Sequence, residues 1–311
     1  MTNPPSVAAV VVTYNRMAKL KKVLSAIERQ TVAPQTLIIV DNASDDGTAE
    51  YLRAYEATGS ETTVRVVTLD SNTGGAGGFS RGIEEAYNIG AEYVWLFDDD
   101  GYPEPDALEK LLVGITSATE TLNKEVPFAC SLVKYIDGSI CEMNNPETTW
   151  DWGRLIAKGQ QAVLVKSCSF VSVLIPRWAI QQHGLPYKEY FIWFDDAEYT
   201  LRLSKDCPGV EVLDSIIIHD MGINKGVNFG TINQNNAWKF SYGIRNQASY
   251  WLHHQGFIKY LIFCARVCII MRRGGVKPSL RLQMYRQMVK AIWFNPAVDH
   301  VNSQKQSEIA A

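Results

Sequence analysis

The chain reads as an α/β protein built on a doubly wound, mostly parallel sheet, followed by a helical, basic extension. Three observations predict this. The runs Val7–Val12, Thr36–Val40 and Val64–Leu69 are apolar or β-branched with little in/out alternation, as in strands buried on both faces. Stretches of helical spacing alternate with them through the first hundred residues, the pattern of right-handed βαβ crossovers. Each polar cluster falls just after a strand, at the carboxyl edge where open α/β sheets bind ligands.

In order, the first strand ends at Thr13-Tyr14-Asn15 and Met17–Gln30 is helical. The second strand stops at Asp41-Asn42-Ala43-Ser44, and Thr48–Tyr55 is helical. After the third strand, residues 72–78 read as a glycine-rich loop and Phe79–Asn88 as a helix. Tyr93–Phe97 is the fourth strand, closed by Asp98-Asp99-Asp100. Pro103 and Pro105 suit the start of a helix running to about Thr116. The second half is less regular. It holds one long β-like run, Ala162–Ile175, an acidic helix start within 191–205, and a strand Val210–Ile218 that ends at His219. Beyond Trp238 the pattern is helical and aromatic, then basic.

Composition narrows the function. The 311 residues are 46% hydrophobic and 20% charged, ordinary for a packed globular protein. A net charge of −3 excludes a dedicated nucleic-acid binder. The six cysteines form no Cys-x-x-Cys pair, and the N-terminus shows no secretory signal, so reduced, mostly buried thiols in a cytoplasmic protein are expected. Charge is uneven: 257–290 carries eight basic residues and no acidic one, leaving the rest of the chain at −11. Its apolar part, 257–271, is shorter than the ~20 residues a membrane span needs. It suits an interfacial helix on an anionic membrane, or alternatively a helix packed on the core or in an oligomer contact.

Five features carry chemistry. In an extended segment Asp98 and Asp100 point to one side and Asp99 to the other, so an Asp-x-Asp pair can share a divalent cation. Oxygen ligands favour Mg²⁺ or Mn²⁺; a bare acidic turn is the alternative. The loop Asn72-Thr73-Gly74-Gly75-Ala76-Gly77-Gly78 allows close backbone approach to a ligand. The helix start behind it, with Arg81, favours phosphate. Asp41 can accept hydrogen bonds from a base or ribose. Asp195, Asp196 and Glu198 beside Trp193 and Phe194 suggest a general base of raised pKa next to a stacking platform, or else the charged first turn of an ordinary helix. His219, at a strand end, is either a structural histidine or a metal ligand.

Taken in order, Thr13-x-Asn15, Asp41-Asn42-Ala43-Ser44, Asn72-x-Gly74-Gly75-x-Gly77-Gly78, Asp98-Asp99-Asp100 and Asp195-Asp196-x-Glu198 resemble the family-2 nucleotide-sugar glycosyltransferases of the GT-A fold. The likeness spans about residues 7–250. With Arg81 and Arg245-Asn246, it is greatest to galactofuranosyl- and rhamnosyltransferases of bacterial surface glycans. The resemblance implies a domain over 1–250, with a nucleotide-binding half (1–125) and an acceptor half (126–250), followed by a membrane-associating or oligomerising extension (251–311). It implies that Thr13, Asn15 and Asp41 hold the nucleoside, and that Asn72, Gly74, Gly75 and Arg81 surround the ribose and diphosphate. Asp98 and Asp99 would face the sugar and ribose. Asp98, Asp100 and His219 would hold Mn²⁺ or Mg²⁺. Asp196 would be the base, supported by Asp195, with Trp193 and Glu198 toward the acceptor. The implied reaction is inverting transfer from UDP-galactofuranose, or from dTDP-rhamnose as the alternative, to a glycan or lipid-linked acceptor. The expected location is the inner face of the cell membrane, engaged through 257–290. Outside this class, a nucleotidyltransferase would need a basic glycine loop after the first strand, which Thr13-Tyr14-Asn15-Arg16 does not supply. A non-catalytic membrane scaffold would have no need of the intact aspartate set.

Overall fold

The computed structural model describes residues 5–57 and 62–301. One sheet runs through them. Its strands are β1 (Val7–Thr13), β2 (Thr36–Asp41), β3 (Thr63–Thr68), β4 (Tyr93–Asp98), β5 (Gly101–Pro103), β6 (Ala129–Tyr135), β7 (Glu147–Thr148), β8 (Ala162–Ser167), β9 (Val173–Pro176) and β10 (Gly209–His219). The order is β3-β2-β1-β4-β9-β6-β10-β8-β7, with β5 also pairing β10. The β3-β2-β1-β4 part is wholly parallel. Beyond it the sheet is mixed, because β9 enters antiparallel between β4 and β6.

The apolar run of β1 serves two cores. Val7, Ala9 and Val11 pack with helices α1 (Met17–Glu28) and α4 (Ala107–Leu122); Ala8, Val10 and Val12 pack with α3 (Gly74–Asn88), α5 (Arg177–His183) and α6 (Asp195–Leu203). This two-sided burial explains the lack of alternation in the sequence. The remaining helices are α2 (Thr48–Glu56), which follows β2, and α7 (Ala237–Gln255), α8 (Phe257–Arg273) and α9 (Pro278–Lys290). The last three enclose a separate cluster around Phe240, Phe263, Val267 and Met284. The border expected at residue 250 therefore falls inside α7.

Three expectations are corrected. The glycine run is not a loop: α3 begins at Gly74. A Cβ on Gly78 or Gly82 would collide with Val12 or Val10 of β1, so these glycines let α3 lie close on the sheet. Pro103 ends the short strand β5, and the following helix starts only at Ala107, because residues 101–103 pair with β10. The run 162–175 is two strands, broken where Ser172 takes φ +65°. Among the described residues no helix is long and apolar enough to cross a membrane, and the six cysteines are free, four buried and two half-buried.

Candidate active site

Strand register brings the distant motifs together. Thr13 pairs with Asp41 and Val12 with Asp98, so three strand ends converge on one edge. The aspartate triplet then divides its side chains. Asp99 accepts from Thr13 Oγ1 (2.9 Å) and Arg16 (3.1 Å). Asp100 accepts from Arg16 (2.9 Å) and Lys19 (3.4 Å), and lies 3.1 Å from His219 Nε2. Asp98 lines a cavity of about 390 Å³ together with His219, Trp193, Asp195 and Asp196.

Asp98, Asp100 and His219 each offer a ligand atom within 4.8 Å of the others. Two carboxylates and an imidazole suit Mn²⁺ or Mg²⁺ chemistry. Asn144 orients the histidine by accepting from Nδ1 at 2.8 Å, and its own Nδ2 donates to Ser169 (2.7 Å). The carboxylates are tuned in opposite directions. Burial, joined by the charges of Asp100, Asp99 and Asp196, pushes Asp98 up to about 7. Burial also raises Asp100, but the His219 hydrogen bond and the charges of His219, Arg16 and Lys19 outweigh it and hold Asp100 below its usual range.

At the end of β2, Asp41 is fully buried. Its Oδ1 accepts from the Ser44 amide (3.0 Å), and among the described residues Oδ2 meets no donor. A buried, unpartnered carboxylate oxygen is costly unless something donates to it. Asn15, at φ +53°, ties the β1 and β2 ends by accepting from the Asp45 amide (2.8 Å). Asn72 caps α3 through the Gly74 amide (2.8 Å), and Gly75 lines the cavity with open space where a Cβ would stand.

Across the cavity, α6 opens with Asp195 buried and Asp196 half-buried. Burial pushes Asp196 up to about 6 against stabilising amides of Ala197 and Phe170, and burial and the charge of Asp196 raise Asp195 well above the carboxylate range. The entry to α6 is strained: Phe191, Trp193 and Phe194 all have φ between +64° and +73°. Asn246 holds it there, its Nδ2 donating to the carbonyls of Tyr190 (3.0 Å) and Trp193 (2.9 Å). Trp193 lines the cavity and meets Phe240 edge-on at 4.9 Å.

Two expected contacts take other partners. Glu198 is buried, with both carboxylate oxygens engaged by Arg202 at 3.0 Å, so it braces α6 rather than facing the cavity at Asp98. Arg81 pairs with Glu84 and Glu85 along α3 and lines a separate cavity beside Tyr242 and Arg245 rather than the one at Asp98. Sequence reasoning also passed over Arg16, Lys19 and Asn144. The first two stand three residues apart just past Thr13-x-Asn15, a legible basic pair; Asn144 carries no local signal.

A strand-end acidic cluster, a buried carboxylate at the end of β2 and a cavity carboxylate of raised pKa, on a half-parallel sheet, are arranged as in the GT-A fold. Residues 8–120 match the family model described as glycosyl transferase family 2. The galactofuranosyltransferase GlfT1 of Mycolicibacterium smegmatis is 36% identical over 132 residues, 42% of each chain. GlfT1 of Mycobacterium tuberculosis H37Rv is 29% identical over 227 residues, 70% of this chain and 71% of that one. Among solved structures, a mannosyltransferase from Pyrobaculum calidifontis in complex with GDP-Man and Mn²⁺ superposes with a TM-score of 0.56 at 13% identity, covering 99% of this chain and 79% of that one.

Proposed function

We propose that the chain transfers galactofuranose from UDP-galactofuranose, with inversion, to a hydroxyl of a surface-glycan or lipid-linked acceptor. The observation that carries this reading is the double membership of Asp98: it belongs to the Asp98–Asp100–His219 cluster and lines the same cavity as Asp196. Leaving-group and acceptor chemistry thus meet in one cavity. The names of the mycobacterial relatives support the choice of donor.

In this reading Asp41 Oδ2 accepts from the base, and Thr13, Asn15 and Asn72 shape the nucleoside pocket. Gly74 and Gly75 let the backbone close on the diphosphate. Asp98, Asp100 and His219 would hold a divalent ion, which would supply charge neutralisation of the diphosphate. Asp196 takes the proton from the acceptor hydroxyl; its oxygen forms a bond to the anomeric carbon as the bond to phosphate breaks, and the electron pair leaves with UDP. Asp195 supports the base electrostatically, and Trp193 offers the acceptor an aromatic face.

The test is a transfer assay over UDP-galactofuranose, dTDP-rhamnose, UDP-N-acetylglucosamine and GDP-mannose with added Mn²⁺. Highest turnover with UDP-galactofuranose is expected. Preference for another donor would reassign the sugar, and loss of all transfer with donor binding intact would reject the enzymatic reading.

A further inference from the structure

Helix α8 buries one face and leaves the opposite face apolar. Tyr260, Phe263, Val267 and Met271 pack into the cluster shared with α7 and α9. On the other side Ile258 (74% exposed), Leu261, Ile262 (61% exposed), Ala265 and Ile269 form an exposed stripe. At 1.5 Å per residue the stripe is about 16 Å long. Exposed apolar residues scattered singly need no explanation, but a row at i, i+4, i+7 and i+11 marks a surface that is covered by something.

The charges flanking the stripe identify the cover. Lys259, Arg266 and Arg273 lie along one border and Arg272 along the other; all four are exposed. None of them is in an ion pair among the described residues, and no acidic residue occurs anywhere in 257–290. A second copy docking face to face would set two such cationic borders against each other. An anionic surface with an apolar interior meets both features at once. The helix spans only 17 residues, with cations at both ends, so it lies in the surface plane.

We propose that the outer face of α8 docks on an anionic lipid bilayer, with the isoleucine stripe inserted below the headgroups and the flanking cations among them. The functional consequence rests on the transfer reading above. A groove lined by Arg266, Val267 and Ile270 of α8 shares Val227 and Gln247 with the cavity that holds Asp196. Docking by α8 therefore sets that groove beside the lipid surface, where a membrane-held acceptor would enter.

The experiment is vesicle flotation of the full chain, with no donor present, so its result is independent of whether sugar is transferred. The chain is expected to float with phosphatidylglycerol-rich vesicles, to stay behind with pure phosphatidylcholine, and to be released by high salt. The combined substitution Ile258→Gln, Ile262→Gln and Ile269→Gln is expected to weaken partition by at least about tenfold while UDP release with a water-soluble acceptor is unchanged. Lys259→Gln with Arg273→Gln, which leaves the stripe intact, should weaken binding to the anionic vesicles alone. The proposal is overturned if the chain ignores anionic vesicles or if the triple variant floats as well as the parent. It is overturned equally if sedimentation shows a dimer that the triple variant dissolves.

Discussion

Asn144 Oδ1 lies 2.8 Å from Nδ1 of His219, across 75 residues of sequence. The Asn144 amide nitrogen is committed to Ser169, so its oxygen must face the ring, and Nδ1 carries the proton. Nε2 then faces Asp100 Oδ1 at 3.1 Å. Two lone pairs at that separation repel unless a proton or a cation stands between them. This is the arrangement by which an outer partner readies an imidazole for a metal.

Asn144→Leu removes the acceptor and frees the ring. The Mn²⁺ concentration giving half-maximal activity should rise about 10–100-fold, with little change in kcat at saturating metal. An unchanged metal requirement would show that Asn144 has only a packing role.

Asp196→Asn keeps the side-chain volume and removes the proton acceptor. Transfer should fall by about 10²–10⁴-fold while donor affinity, measured by calorimetry, holds. Because burial lifts Asp196 to about 6, the parent's kcat should climb tenfold per pH unit below that value and level off above it. A flat profile through pH 6 would remove Asp196 from the base role.

Asp41→Asn preserves an oxygen for the Ser44 amide and offers an N–H where Oδ2 stood. Donor binding should weaken by about tenfold, the worth of one buried hydrogen bond, with thermal stability little altered. Equal donor affinity in the variant would place the base elsewhere.

Glu211 lies on β10, where burial alone lifts its carboxyl from 4.5 to about 7. Its folded pKa exceeds its unfolded one, so the protonated fold suffers no penalty below pH 4.5. Stability is then lost as pH rises through 7, by up to about 3 kcal/mol. Glu211→Gln should flatten that decline, most visibly as a higher midpoint in urea at pH 8 than the parent. Parallel pH curves for the two proteins would contradict it.

What sequence could reveal followed from local causes. The parallel strands announced themselves because residues such as Val10 and Val11 face different cores, and Asp41, Asp98 and Asp100 were legible because strand ends gather ligand groups. The start of α3 was hidden, since glycines that suit a loop also suit tight helix packing against Val10 and Val12. Glu198 misled because aromatic neighbours suggested a cavity wall; Arg202, one helical turn on, was the available sign of an internal pair. Asn144 was invisible, because its role exists only when β10 brings His219 beside it.

The cluster at Asp98, Asp100 and His219 draws on both halves of the chain, two carboxylates from the end of β4 and an imidazole from the end of β10. An ion seated there would rivet the two strand ends together. In the proposed reaction, loading with donor and shaping of the acceptor cleft would then become one mechanical event.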